Sequence, residues 1–241
     1  MNVLNKYKTI IMKITAVSDL HGNLIDIEPC DILLIAGDIS PLDIQKDHIQ
    51  MTKWFFNEFY DWIQKIPCWN IILVPGNHDF WFEKFIKQSK MNLWHKLTIL
   101  INDETTVYAS NGYEHEEVRI FGTPYCKDFG NWAFMPGNDK LPELYDKIPE
   151  DIDILICHDS PLIGYVGNIM EKADETYPNG IPAGNQYLAG AIFDKRPKYV
   201  LSGHIHSGDH ELKDYDGIKC ANVSILDESY NIAYKPLTIE I

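Results

Sequence analysis

The sequence predicts a single α/β domain, and three features carry that expectation. Five apolar runs read as buried strands, each ending in Asp, Asn or His. A stretch with apolar residues at helical spacing separates two of them. Around the middle and at the end of the chain, short β runs punctuated by turn residues have the texture of a meander. No internal repeat, low-complexity tract or linker divides residues 1–241, so one domain is expected.

Residues 1–11 precede the first strand, as a lead-in or an extra edge strand. Residues 13–18 form that strand and run into Asp19-Leu20-His21, and residues 32–36 form the second, ending in Gly37-Asp38. Across 43–66, Phe55, Phe59, Trp62, Ile63 and Ile66 predict an amphipathic helix that packs its aromatics on a sheet and is closed by Pro67. Residues 71–74 form a third strand, stopped by Pro75-Gly76 and followed directly by Asn77-His78-Asp79. Phe82, Phe85, Ile86, Leu93, Trp94 and Leu97 suggest a second, less regular helical segment broken near Ser89.

The texture then changes to short β runs at 98–101, 105–109 and 118–121. Residues 122–138 form a long loop whose Tyr125, Phe129, Trp132 and Phe134 either cap a core edge or wall a cleft. After a connector at 141–149, residues 152–157 form a strand that delivers His158 and Asp159. A second long loop occupies 160–181, and 183–193 reads as a helix weakened by Gly184 and Gly190. Residues 198–202 lead to Gly203, His204 and His206, and strands near 218–223 and 237–241 follow the turn at 214–217.

Bulk properties narrow the function. A formal net charge of −14 argues against a nonspecific nucleic-acid binder or an anionic-membrane binder, because both need basic footprints. Arg119 and Arg196 are the only arginines, so a phosphate would have to be gripped by some other positive centre. Cys30, Cys68, Cys126, Cys157 and Cys220 are far apart in sequence and read as buried thiols in a reducing compartment. No signal-peptide pattern is apparent, and no apolar stretch approaches the roughly 20 residues of a membrane span, so the expected location is cytoplasmic.

Singly, the polar strand ends would pass for turns. Together they sit where open α/β sheets place their ligands, at the carboxyl ends of strands. Asp19, His21, Asp38, Asn77, His158, His204 and His206 are too many donors for one closed four-coordinate zinc site. Shared between two ions about 3.5–4 Å apart, with one carboxylate bridging, they fill two sites and leave room for water. The mixture of imidazole and oxygen suits Mn, Fe, Zn, Ni or Co. The ions would hold a phosphate without arginine and activate a hydroxide. His78 is expected to donate to the transferring group or protonate the leaving oxygen, with Asp79 holding its other nitrogen.

These blocks, Asp19-x-His21, Gly37-Asp38, Gly76-Asn77-His78-Asp79, His158 and Gly203-His204-x-His206, resemble in order the signature of the calcineurin-like metallophosphoesterases. The resemblance implies a four-layer α/β/β/α sandwich with two facing mixed β-sheets and a dinuclear centre of divalent or mixed-valence ions. It also implies that Asp19, His21, Asp38 and His206 bind one ion, and that Asp38, Asn77, His158 and His204 bind the other. His78 and Asp79 would assist the leaving group. After Gly37-Asp38 comes Ile39-Ser40-Pro41, which lacks the Asp-Arg-Gly continuation of the Ser/Thr protein phosphatases. Residues 121–125 and 130–135, with Gly164-Tyr165 and Arg196-Pro197-Lys198, resemble the compact phosphodiesterase-like branch of metallophosphoesterase-domain-containing proteins, some of which act on cyclic nucleotides. His158-Asp159-Ser160-Pro161 departs from the usual His-x-Pro-Pro form.

The function expected is therefore hydrolysis of a small phosphorylated substrate, a nucleotide among the candidates, with phosphodiesters ahead of monoesters. The alternatives are a phosphomonoesterase, acting on small molecules or on proteins, and a non-catalytic protein-binding scaffold of the same fold. The acidic charge and scarce arginine disfavour a nuclease.

Overall fold

A computed structural model of the chain describes residues 10–110 and 115–241. The proposed lead-in at 1–11 falls almost wholly outside them. The first half contains β1 (Lys13–Val17), β2 (Ile32–Ala36), α1 (His48–Trp54), α2 (Tyr60–Lys65), β3 (Asn70–Val74) and α3 (Phe80–Phe85). Next come β4 (Lys90–Leu93), β5 (Leu97–Leu100), β6 (Asp103–Ser110), β7 (His115–Thr123), α4 (Leu141–Tyr145) and β8 (Ile154–Cys157). The remainder holds β9 (Asn168–Ile169), β10 (Ile181–Pro182), α5 (Gln186–Lys195), β11 (Tyr199–Ser202), β12 (Lys213–Tyr215), β13 (Ile218–Asn222) and β14 (Leu237–Glu240).

Two six-stranded mixed sheets result, ordered β14-β1-β2-β3-β5-β4 and β12-β13-β11-β8-β7-β6, while β9 and β10 pair separately. In each large sheet the four inner strands are parallel and an antiparallel strand closes either edge. Strand alternation sorts the side chains into layers. Ile32, Leu34, Ile72 and Val74 of the first sheet meet Ile120, Ile154, Ile156 and Leu201 of the second in a shared core. Leu33, Ile35, Ile71 and Leu73 face the other way, onto Met51, Phe55, Phe59 and Ile63 of the helical layer. On the far side Leu155, Cys157 and Val200 pack against Leu141, Tyr145, Leu188 and Ile192. These three cores make the four-layer α/β/β/α sandwich. Each fully buried Leu, Ile or Phe contributes about 1.5–3 kcal/mol.

The long helix begins later than its periodicity suggests. Asp47 caps it, its carboxylate accepting from Ile49 N at 3.0 Å and Gln50 N at 3.1 Å, and 43–46 is a turn. A π-helical turn, Phe55–Phe59, joins α1 to α2 and stacks the Phe55 and Phe59 rings at 5.3 Å. The second helical segment is corrected: α3 ends at Phe85, and 90–100 forms a hairpin in which Met91 lies opposite Ile99. Apolar residues in a short edge hairpin mimic a broken helical spacing, which is why periodicity misassigns them. The 141–149 connector contains α4, and the expected helix at 183–193 starts at Gln186, capped by Asn185. None of the described helices is long and apolar enough to cross a membrane.

Candidate metal centre

The ends of β1, β2, β3, β8 and β11 meet at one edge of the sandwich, and the seven donors named from the sequence meet with them. Asp38 Oδ2 lies 3.3 Å from His158 Nε2 and 3.7 Å from His21 Nε2. Asp19 Oδ1 is 3.5 Å from His206 Nε2, and the Asp19 carboxylate accepts from the His204 backbone N–H at 3.1 Å. Asn77 Oδ1 is 2.8 Å from His158 Nε2, and the His158 and His204 rings are 5.2 Å apart. Donor atoms of Asp19, His21 and His206 all lie within 4.8 Å of one another, as do those of Asp19, Asp38 and His158.

Local backbone shape produces this convergence. Asp19, His21, Asp38 and His204 all have positive φ, between 42° and 71°, so each strand turns sharply as it ends. Glycines supply the space. Gly37, Gly76 and Gly203 each precede a donor. A Cβ on Gly37 would strike His158, one on Gly76 would strike Asp38 and His158, and one on Gly203 would strike Ser18 and Asp19. At Gly37 the φ of +96° adds a conformational need for glycine.

The imidazoles are set for ligation. His158 Nδ1 donates to Ala36 O and His206 Nδ1 donates to Asp227 O, both at 2.8 Å. A carbonyl only accepts, so the proton on Nδ1 is retained and Nε2, which faces inward, is the atom that would shed its proton to bind a metal. His21 differs: both ring nitrogens are buried and have no hydrogen-bond partner among the described residues. Such an unsatisfied group costs about 1–3 kcal/mol. A cation among Asp19, His21, Asp38 and His206 would supply the missing partner, and the donor set fits a transition metal.

Electrostatics agree. Burial opposes ionisation of Asp38, yet His158, His78 and His21 hold its carboxyl far below the usual range. His206 and His158 do the same for Asp19, against burial and Asp38. Burial would lower His158, but Asp38 lifts it to about 10; His206, likewise opposed by burial, is lifted by Asp19 to about 9. Burial prevails at His21, pushing it down to about 4 against the pull of Asp38 and Asp19.

Residues 12–208 match the calcineurin-like phosphoesterase family model. The chain belongs to that family. Among curated proteins it is 26% identical over 241 residues to a UPF0046 protein of Caenorhabditis elegans, covering 95% of this chain and 81% of the relative. It is also 26% identical over 252 residues to metallophosphoesterase domain-containing protein 1 of Homo sapiens, covering 95% of this chain and 71% of that protein. The crystal structure of phosphopantetheinyl hydrolase from Mycobacterium tuberculosis shares the fold. Its TM-score is 0.53 at 14% identity, with 90% of each chain covered.

Around this candidate centre one expected contact is replaced by another. Asp79 does not hold His78. Its carboxylate instead accepts from Gly76 N at 2.8 Å, Asp38 N at 2.9 Å, Ser40 N at 3.0 Å and Ser40 Oγ at 2.6 Å. With Ile39 N at 3.4 Å, the turns leave five donors pointing at one buried carboxyl, which therefore faces inward and ties the Asp38 loop to the Asn77 loop. Burial and then Asp38 push Asp79 up to about 6, against the hydrogen bond from Ser40. His78 Nδ1 lies 2.6 Å from Gln45 Oε1 instead, and its backbone N–H donates to Asp38 Oδ1 at 2.7 Å. Its Nε2 lies 3.9 Å from Asp38 Oδ2.

Gln45 escaped the sequence reading because 43–66 looked helical throughout, which would direct a polar residue at its start toward solvent. Cys126 was also missed: its thiol lies with the His158 and His204 donors inside one 4.8 Å cluster. The 122–138 loop does two things. Ala133 and Phe134 enter the core beneath the first sheet, whereas Trp132 lies over His78 at 4.4 Å and Phe129 over His204 at 5.2 Å. Tyr230 completes the rim, 5.1 Å from both His21 and His206.

Proposed function

We propose that this protein is a phosphoesterase working with two transition-metal ions, and that it favours phosphodiesters over monoesters. The observation that carries the reading is the orphaned, buried His21 imidazole inside a cluster of carboxylates and inward-facing Nε2 atoms. Asp19, His21, Asp38 and His206 would hold one ion, and Asp38, Asn77, His158 and His204 the other, with Mn, Fe, Zn, Ni or Co suited to the donors. Bound there, the ions would supply the charge that holds a phosphate and lower the pKa of an attacking water.

The chain's own groups do the rest. Ala36 and Asp227 carbonyls fix the two imidazole tautomers. Gln45 Oε1 keeps a proton on His78 Nδ1, so Nε2 is the atom that carries or yields the proton toward a leaving oxygen. Trp132 covers the His78 ring and narrows its exposure to water. Lys46, whose Nζ sits 4.8 Å from the Trp132 ring, adds a positive charge at the rim. Phe129 and Tyr230, 53% and 43% exposed, offer flat apolar faces to the ester substituent of a small phosphorylated substrate such as a nucleotide.

Turnover of bis-p-nitrophenyl phosphate against p-nitrophenyl phosphate, with added Mn, tests the proposal. The diester should be hydrolysed faster. Faster hydrolysis of the monoester would make the protein a phosphomonoesterase. Inactivity of the metal-loaded protein on both would leave a non-catalytic scaffold.

A further inference from the structure

The opposite pole of the first sheet carries a different chemistry. β2 and β3 are parallel neighbours with Ile32 opposite Asn70, so Cys30 and Cys68 each stand two residues ahead of a paired position. Asn70 binds the two approaches together. Its Nδ2 donates to Asp31 O at 3.2 Å, and its carbonyl accepts from Cys68 Sγ at 3.3 Å. Cys68 is only 3% exposed, within the core beneath the helical layer, and the partly exposed Cys30 packs against that same core. Both side chains pack on that one core from matching positions of neighbouring segments, and each thiol shifts the titration of the other. Adjacent strands run about 4.7–4.9 Å apart, inside the roughly 4.4–6.8 Å between Cα atoms that a disulfide needs.

We propose that Cys30 and Cys68 form a reversible redox site, which closes to a disulfide with a low-molecular-weight disulfide oxidant and reopens with a thiol reductant. Exposure assigns the order. The Cys30 thiolate attacks one sulfur of the oxidant, breaking its S–S bond, and the other half leaves as a thiolate that takes up the proton lost by Cys30. Cys68 then gives up its proton and attacks the Cys30 sulfur of this mixed disulfide, releasing the second half of the oxidant as a thiol. Two cysteines are oxidised and one disulfide is reduced to two thiols. Cys30 suits the first step. The hydrogen bond from Cys68, aided by Thr15 and Lys13 and opposed by burial and Asp31, brings its thiol down to about 7. The hydrogen bond to Cys30, followed by burial, raises Cys68, as expected of the resolving partner.

Incubating the intact protein with oxidised glutathione, alkylating it and digesting it with trypsin without reductant tests the site. Peptides 14–46 and 66–84, each with one cysteine, should appear joined, and dithiothreitol should separate them. The buried Cys126, Cys157 and Cys220 should stay reduced and serve as internal controls. Cys68→Ser should stop at glutathione on Cys30, and its Cys30 alkylation should need a higher pH than the midpoint near 7 of the parent. A stable glutathione adduct on Cys30 of the parent with Cys68 free, or no reaction at either thiol, would overturn the proposal.

Discussion

The two sides of the candidate metal centre are assembled over different chain distances. On the Asp19 side, Asp19 and His21 come from one turn, and apart from the shared Asp38 only His206 arrives from afar. The ring of His21 has no hydrogen-bond partner among the described residues, and its Nε2 stands 3.7 Å from Asp38 Oδ2. On the Asp38 side, Asp38, Asn77, His158 and His204 come from four separate strand ends, and His158 is held by Ala36, Asn77 and Asp38 together. One side is therefore organised by the protein itself, while the other leaves an imidazole that only a ligand can satisfy. A centre built this way would keep the shape of its Asp38 side without metal and depend on metal to settle the Asp19 side.

Removing the shared carboxylate should break both sides at once. Asp38→Ala is expected to lose all bound metal and all turnover, read by elemental analysis and by diester hydrolysis. His78→Ala should keep its metal while turnover falls by about 10²–10⁴. Equal metal loss in the two variants would remove the distinction between donor and proton-carrying group.

The metal-free protein offers a sharper comparison. His158→Ala breaks a buried charge pair and should cost about 3–5 kcal/mol, whereas His21→Ala loses no hydrogen bond and should cost about 1 kcal/mol or less. Urea unfolding in chelator measures both. The pH profiles should run in opposite directions. With its pKa raised from 6.5 to about 10, His158 contributes fully below pH 6.5, and that contribution is lost as pH rises through about 10. His21, lowered to about 4, takes a proton more readily when unfolded, so its contribution falls as pH drops from 6.5 toward about 4. A His21→Ala protein that unfolds as easily as His158→Ala would erase the contrast.

Single methyl groups can address each side separately. Gly203→Ala places its Cβ against Ser18 and Asp19, and Gly37→Ala places one against His158. Each should cost about 1–3 kcal/mol as overpacking. Gly203→Ala should weaken metal held on the Asp19 side, and Gly37→Ala metal held on the Asp38 side, as measured by titration with Mn.

What was legible in the sequence follows from the same division. The sheet strands could be read because each is a short apolar run ended by glycine or by a polar cluster, and the seven donors because each follows such a run. The first strand of the 90–100 hairpin, residues 90–93, was misread because edge strands lack the strong alternation that separates strand from helix, whereas the run at 98–101 was read as β. The partner of His78 was misread because sequence adjacency favours Asp79. Yet the buried carboxyl is claimed by the backbone N–H groups of Gly76, Asp38 and Ser40, which no spacing reveals. The pairing of Cys30 with Cys68 depends on the register of β2 against β3, and so appears only once the sheet is built.

Gln45 gives the smallest expected effect and the finest test of the Asp38 side, since His78 reaches Asp38 through both its backbone and its ring. Losing one neutral hydrogen bond is worth about 1 kcal/mol, so Gln45→Ala should slow turnover by roughly fivefold to tenfold. Metal content should stay unchanged, because Gln45 Oε1 bonds the His78 ring, which is not one of the seven donors. The loss should fall on kcat rather than KM, and should grow for esters with poor leaving groups, where protonation matters most. Gln45→Glu restores an acceptor oxygen and should recover the rate. An equal loss for good and poor leaving groups would mean that Gln45 merely shapes the rim, and that the His78 ring needs no help to face its leaving oxygen.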